Sequence, residues 1–164
     1  FRNHEVERIV LTRPAVGVED EKHGFLPGTL EQKMAPWVRP LFDVLREYYN
    51  IRDITHMMEE QIIEISPLAF MRGRTFKNAI IVADEMQNAT PGQMKMLLTR
   101  IGEGSKIVVT GDVEQADKSG KNNGLLDLHQ RLTTSDVKGM SLCQFEAVDI
   151  QRHPIISSVL NLYS

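Results

Sequence analysis

Apolar residues along this chain fall into short unbroken runs, and stretches with a helical period separate them. Arg8-Ile9-Val10-Leu11-Thr12, Ile62-Ile63-Glu64-Ile65, Ala79-Ile80-Ile81-Val82-Ala83 and Lys106–Gly111 have the length and β-branched content of buried strands, and Ser141-Leu142-Cys143-Gln144-Phe145 reads as a last strand. Arg13-Pro14 stops the first of them, since proline cannot donate to a ladder. Thr90-Pro91-Gly92-Gln93 reads as a helix start, with threonine as cap, proline in the first turn and glutamine reaching back. Met94, Leu97, Leu98 and Ile101 then recur at the spacing of one buried helical face. Gly102 and Gly104 end that pattern.

Four further helical segments are expected. Thr29 and Gln32 have capping-box spacing and open a helix reaching about Tyr49, interrupted at Pro36 and Pro40 because proline breaks the hydrogen-bond ladder. A weaker pattern covers Ile54–Glu60, and further helices are expected near Leu125–Leu132 and over Pro154–Leu162. Strands separated by helices predict an α/β fold with a mostly parallel sheet. In such sheets ligands bind outside the carboxyl ends of the strands. Three strands deliver polar groups there: Arg13 after the first, Asp84-Glu85 after the third, and Asp112 with Gln115 after the fourth.

Composition changes this picture little. A chain of 164 residues with 41% hydrophobic and 25% charged residues fits one domain over residues 1–164 with its own core. A net charge of −3 gives no whole-protein attraction to nucleic acid, so local patches must supply any. Cys143 is the single cysteine, which excludes an internal disulfide and fits a reducing, cytoplasmic setting. No apolar stretch reaches membrane-spanning length, and no signal peptide precedes the first strand. The chain opens on Phe1 rather than methionine, so it is expected to begin inside a longer polypeptide. The five histidines show no metal-ligand spacing and read as structural or exposed. Met57-Met58 and Met94/Met96 read as helix packing, and Glu19-Asp20-Glu21 as a solvated loop.

The candidate chemistry lies at the strand ends. An apolar strand running into Asp84-Glu85 has the form of a Walker B site, where one carboxylate holds Mg²⁺ and its neighbour activates water. The plainer alternative is a pair of acids favoured by a helix N-terminus. Gly111-Asp112-x-x-Gln115 is turn chemistry by itself; beside the acidic strand, its amide is placed to sense a terminal phosphate. Arg152, before His153-Pro154, is a candidate cation for transition-state charge. Arg72-Gly73-Arg74-Thr75-Phe76-Lys77 and Thr12-Arg13-Pro14 can supply phosphate contacts that carry no sequence information. No G-x-x-x-x-G-K-[ST] occurs in these residues: Gly120-Lys121 is followed by Asn122.

Taken together these residues resemble the PhoH-like family, the phosphate-starvation-inducible ATPases related to the superfamily 1 helicase core. The blocks Ile9–Ala15, Gly24–Gly28, Pro67–Thr75, Asp84–Pro91, Gln93–Arg100, Val109–Asp112 and Arg152–Pro154 carry the likeness in order. The resemblance implies a RecA-like P-loop NTPase core acting on ATP with Mg²⁺. In it Asp84 serves the metal, Glu85 is the catalytic base, and Gln115 senses the γ-phosphate, with Gln87 and Asp112 at the nucleotide. Arg152 would reach nucleotide, across a subunit boundary in a ring-forming homo-oligomer. Thr12, Arg13, Arg72 and Arg74 would contact single-stranded RNA or a neighbouring subunit. The family's Walker A strand, loop and helix are expected upstream of residue 1. The loop after Gln115 also looks shorter than the family's and lacks an expected proline. The rival reading is a non-catalytic nucleic-acid-binding or assembly module. A processive helicase would need a second RecA-like domain, for which 164 residues leave no room.

Overall fold

The computed structural model describes residues 3, 5–14, 39, 40, 42–115, 122–146, 149, 155, 156, 159 and 162. Among the described residues four strands form one sheet in the order β2-β1-β3-β4: β1 (Arg8–Thr12), β2 (Ile63–Ile65), β3 (Ala79–Ala83) and β4 (Lys106–Val109). All three pairings are parallel, with Ile9 opposite Ile63 and Ile80, and Val82 opposite Val108. The helices of the crossovers are α1 (Ile51–Glu59) and α2 (Pro91–Leu98), and α3 (Gly124–Thr134) follows β4. The α/β fold with a mostly parallel sheet, expected from strand and helix alternation, is the fold observed.

Side chains along β1 and β3 alternate between two apolar layers, as the two-residue period of a strand requires. Ile9 and Leu11 join Ile54, Met57, Ile63 and Ile65 under α1, with Phe42, Leu45 and Tyr49 at the edge. Val10, Ala79, Ile81 and Ala83 face the opposite way, onto Leu68, Met71, Phe76, Met86, Met94 and Leu97. Covering both faces explains why the strands are nearly continuous apolar runs. Each fully buried Leu, Ile, Met or Phe here contributes about 1.5–3 kcal/mol by leaving water.

The capping chemistry read at Thr90 is present. Thr90 Oγ1 accepts from Gln93 N at 3.2 Å and Thr90 N donates to Gln93 Oε1 at 2.8 Å, closing a reciprocal box. Helix α1 starts earlier than its apolar pattern, because Asn50 Oδ1 accepts from Asp53 N at 3.0 Å and caps it.

Several expectations are corrected. Ile101 is not on the buried face of α2: the helix stops at Leu98, Arg100 N bonds Leu97 O, and Ile101 bridges to Phe76 instead while half exposed. Residues 141–146 form no strand and are exposed, since no neighbouring strand among the described residues satisfies their backbone. The helix expected from Thr29 begins outside the described residues, of which 39–40 and 42–46 are helical. The acidic run 19–21, the loop 116–121 and most of 154–162 also lie outside them. The chain comprises two compact units, Phe1–Arg131 and Leu132–Ser164; the sheet and the candidate site belong to the first.

Candidate functional site

The carboxyl edge of the sheet is built by hydrogen bonds that continue the ladders past the strand ends. Thr110 N donates to Ala83 O at 2.8 Å, Asp84 N to Thr12 O at 3.0 Å, and Met86 N to Thr110 O at 3.0 Å. Asp84 is thereby held between the ends of β1 and β4. Its Oδ1 accepts the Thr110 hydroxyl at 2.6 Å, a short charge-assisted bond.

Glu85 takes a different direction from its neighbour, and backbone conformation sets it. Its φ of 55° and ψ of 35° lie in the left-handed region, which costs a residue with a Cβ about 1–2 kcal/mol. A short 3₁₀ turn, Met86–Asn88, follows at once, with all three side chains buried. That turn swings the Glu85 side chain toward Gln87 and Arg13. A left-handed residue at the strand exit, rather than the two-residue alternation of a strand, therefore separates the two acids.

Gln87 joins the two polar strand ends. It is 1% exposed; its Nε2 donates to Glu85 Oε2 at 2.8 Å and its Oε1 accepts Asp112 N at 3.2 Å. A buried amide satisfied at both ends is rigid. Gly111 makes room for it: a Cβ there would collide with Gln87 Oε1 and stand 2.8 Å from Leu125 Cδ2 and 3.1 Å from Met86 N. Beyond it, Gln115 Nε2 donates to Asp112 Oδ2 at 2.9 Å. Both Asp112 and Gln115 are exposed, within a backbone turn closed by Gln115 N to Asp112 O at 3.2 Å.

On the other side of Glu85, Arg13 Nη2 lies 3.6 Å from Glu85 Oε2. Thr12 is wholly buried, and its Oγ1 is the one buried side-chain polar atom among the described residues without a hydrogen-bond partner. Such an orphan is rare in a folded chain. Its place beside Asp84 suits a polar ligand at this edge. A single half-buried carboxylate at Asp84 also suits Mg²⁺, which takes few protein oxygens and keeps waters and phosphates. Among the described residues no cluster of three or more His, Cys, Asp or Glu side chains is placed to hold a metal without such a ligand.

The two arginines of the cationic connection are not equivalent. Arg74 forks onto Glu64, with Nη2 to Oε2 at 2.9 Å and Nη1 to Oε1, and its guanidinium lies 4.5 Å from the Phe76 ring centroid. Arg8 Nη2 meets the same carboxylate at 2.6 Å. The Arg74 hydrogen bonds, aided by the charges of Arg74 and Arg8, hold the Glu64 carboxyl below its ordinary value against the opposing effect of burial. Arg72 is exposed. Thus Thr12, Arg13, Asp84, Glu85, Gln87, Asp112 and Gln115 come together, Arg72 and Arg74 lie on the segment after β2, and Arg152 is outside the described residues. The Glu64 network and the bridging role of Gln87 were missed; only the acid-glutamine spacing hinted at the latter.

Among the described residues no helix is long and apolar enough to cross a membrane. The family model described as PhoH-like protein matches residues 1–164. A PhoH-like protein of Synechocystis is 46% identical over 161 residues, covering 98% of this chain and 48% of that relative. One from Bacillus subtilis is 44% identical over 164 residues, 99% of this chain and 50% of the relative. Protein PhoH of Escherichia coli K12 is 40% identical over 163 residues, 98% and 45% respectively. The chain therefore spans about half the length of the curated relatives it matches. With a parallel sheet carrying these strand-end acids and a match along its whole length, the chain belongs to the PhoH-like family, whose fold is of the P-loop NTPase type.

Proposed function

We propose that this chain is the catalytic half of a Mg²⁺-dependent ATPase coupled to single-stranded RNA. The observation that carries this reading is the Gln87 bridge, which locks the acidic exit of β3 to the Gly-Asp-x-x-Gln exit of β4. Bound Mg·ATP supplies the phosphoanhydride and the cation that neutralises its charge. Asp84 is the residue that would hold the metal. Glu85 orients a water and accepts its proton, with Gln87 fixing the carboxylate's direction. Gln115 and Asp112 meet the terminal phosphate, and Arg152 offers a cation to it, from a neighbouring subunit in a homo-oligomer. A lysine-bearing phosphate loop, which these residues do not contain, would have to be supplied by another segment.

Arg13 supports the coupling to nucleic acid. It stands at the carboxyl end of β1 and pairs with Glu85, so a backbone phosphate that draws Arg13 away alters the surroundings of the base. Arg72, exposed on the segment after β2, is a further candidate for a phosphate contact.

The test is Mg·ATP binding by calorimetry, comparing the 164-residue chain with a form extended upstream through the expected phosphate loop. Binding by the extended form alone supports the reading. Binding by neither makes Asp84 and Glu85 structural acids and favours a module that assembles or binds nucleic acid without hydrolysis.

A further inference from the structure

The segment leaving β2 is pinned at every second or third residue, yet it holds one large ring out in solvent. Leu68 and Met71, 2% and 0% exposed, anchor its 3₁₀ turn into the core. Arg72 (φ −58°, ψ 134°) and Gly73 (φ 77°) form a type II turn, closed by Arg74 N to Met71 O at 3.2 Å. Arg74 is fixed on Glu64 and over Phe76, and Arg100 Nη1 holds Arg74 O at 3.1 Å. Between these anchors Phe70 is 62% exposed and Arg72 stands at the corner of the turn.

The segment that carries this ring has charge of one sign. No acid occurs from Pro67 to Lys77, and Glu64 is already neutralised by Arg8 and Arg74. An exposed aromatic face on a pinned segment, two residues from an exposed arginine, is a combination that binds single strands, by stacking a base and pairing a phosphate. A protein partner would more often find a wider apolar patch.

We propose that Phe70 stacks a base of single-stranded RNA while Arg72 takes the adjoining phosphate. Arg74, in contrast, acts as a positioning residue that keeps the turn in place. This rests on the RNA reading above and adds a stacking residue that charge alone does not reveal.

The test is fluorescence anisotropy of a labelled oligouridylate of about 12 nucleotides, with an abasic oligomer of equal length as control. Phe70→Ala weakens oligouridylate binding by about 5- to 150-fold, the range for a lost base stack, and leaves abasic binding unchanged. Phe70→Trp keeps the affinity. Arg72→Ala weakens both oligomers and lowers the salt slope by about one. Equal oligouridylate affinity for Phe70→Ala and the parent chain overturns the stacking site while leaving RNA binding intact. Equal loss on both oligomers assigns Phe70 a structural role and also overturns it. A changed sedimentation coefficient without changed affinity marks a self-association surface instead. No binding of either oligomer by the parent chain removes the RNA reading together with this one.

Discussion

Gln87 Nε2 donates to Glu85 Oε2 at 2.8 Å, so the acid at the exit of β3 is aimed by a buried amide two residues on. The same amide accepts Asp112 N. Movement of the β4 exit is thus felt at the Glu85 carboxylate through one side chain. Gln87→Leu keeps the volume but strands the Asp112 N–H and frees Glu85. Each of the two lost hydrogen bonds is worth about 0.5–1.5 kcal/mol, so the urea midpoint falls, and turnover falls further than nucleotide affinity. Unchanged stability and turnover in that variant argue against the bridge.

Gly111 lies where no side chain fits. Gly111→Ala drives a methyl group into Gln87 Oε1 and Leu125, and overpacking of this kind costs about 1–3 kcal/mol. Thermal melting should record the loss. The double variant with Gln87→Ala, which removes the obstacle, should lose less than the sum of the two single changes.

The Glu64 cluster makes stability depend on pH. The Arg74 bonds set its folded pKa below the ordinary value. The stability it contributes is therefore complete above about pH 4.3, the unfolded glutamate value, and fades as pH falls through the lower folded value. Glu64→Gln should flatten the acid limb of a stability–pH curve, whereas an identical limb in the variant assigns the acid sensitivity to other carboxylates.

Thr90→Ala removes one half of the capping box of α2 and is expected to cost about 0.5–2 kcal/mol. A double-mutant cycle with Gln93→Ala reads the reciprocity, since the two changes should not add.

Much of this architecture is legible in the residues because the runs around Val10 and Ile81 are apolar on both faces. That pattern needs a parallel sheet with two covered sides. The acids at 84–85 and the Gly-Asp at 111–112 mark the strand exits for the same reason: the apolar runs stop there. What stays hidden depends on neighbours in space. Glu64 meets Arg8 and Arg74 only once β2 lies beside β1 in register. Glu85 enters the left-handed region because the buried Met86–Asn88 turn leaves it no other path. Ile101 fits a helical face by spacing, yet its backbone is claimed by Phe76. Residues 141–145 have the length of a strand, but a strand forms only beside another.

If Glu85 is the base of an ATP-hydrolysing site, Glu85→Gln in the form extended upstream must lose hydrolysis and keep binding. The exchange keeps size and a hydrogen-bonding oxygen but removes the proton acceptor. Single-turnover hydrolysis of Mg·ATP should slow by about 10²- to 10⁴-fold, the usual contribution of a positioned base, with ATP affinity and melting temperature retained. Hydrolysis at the parent rate contradicts the account.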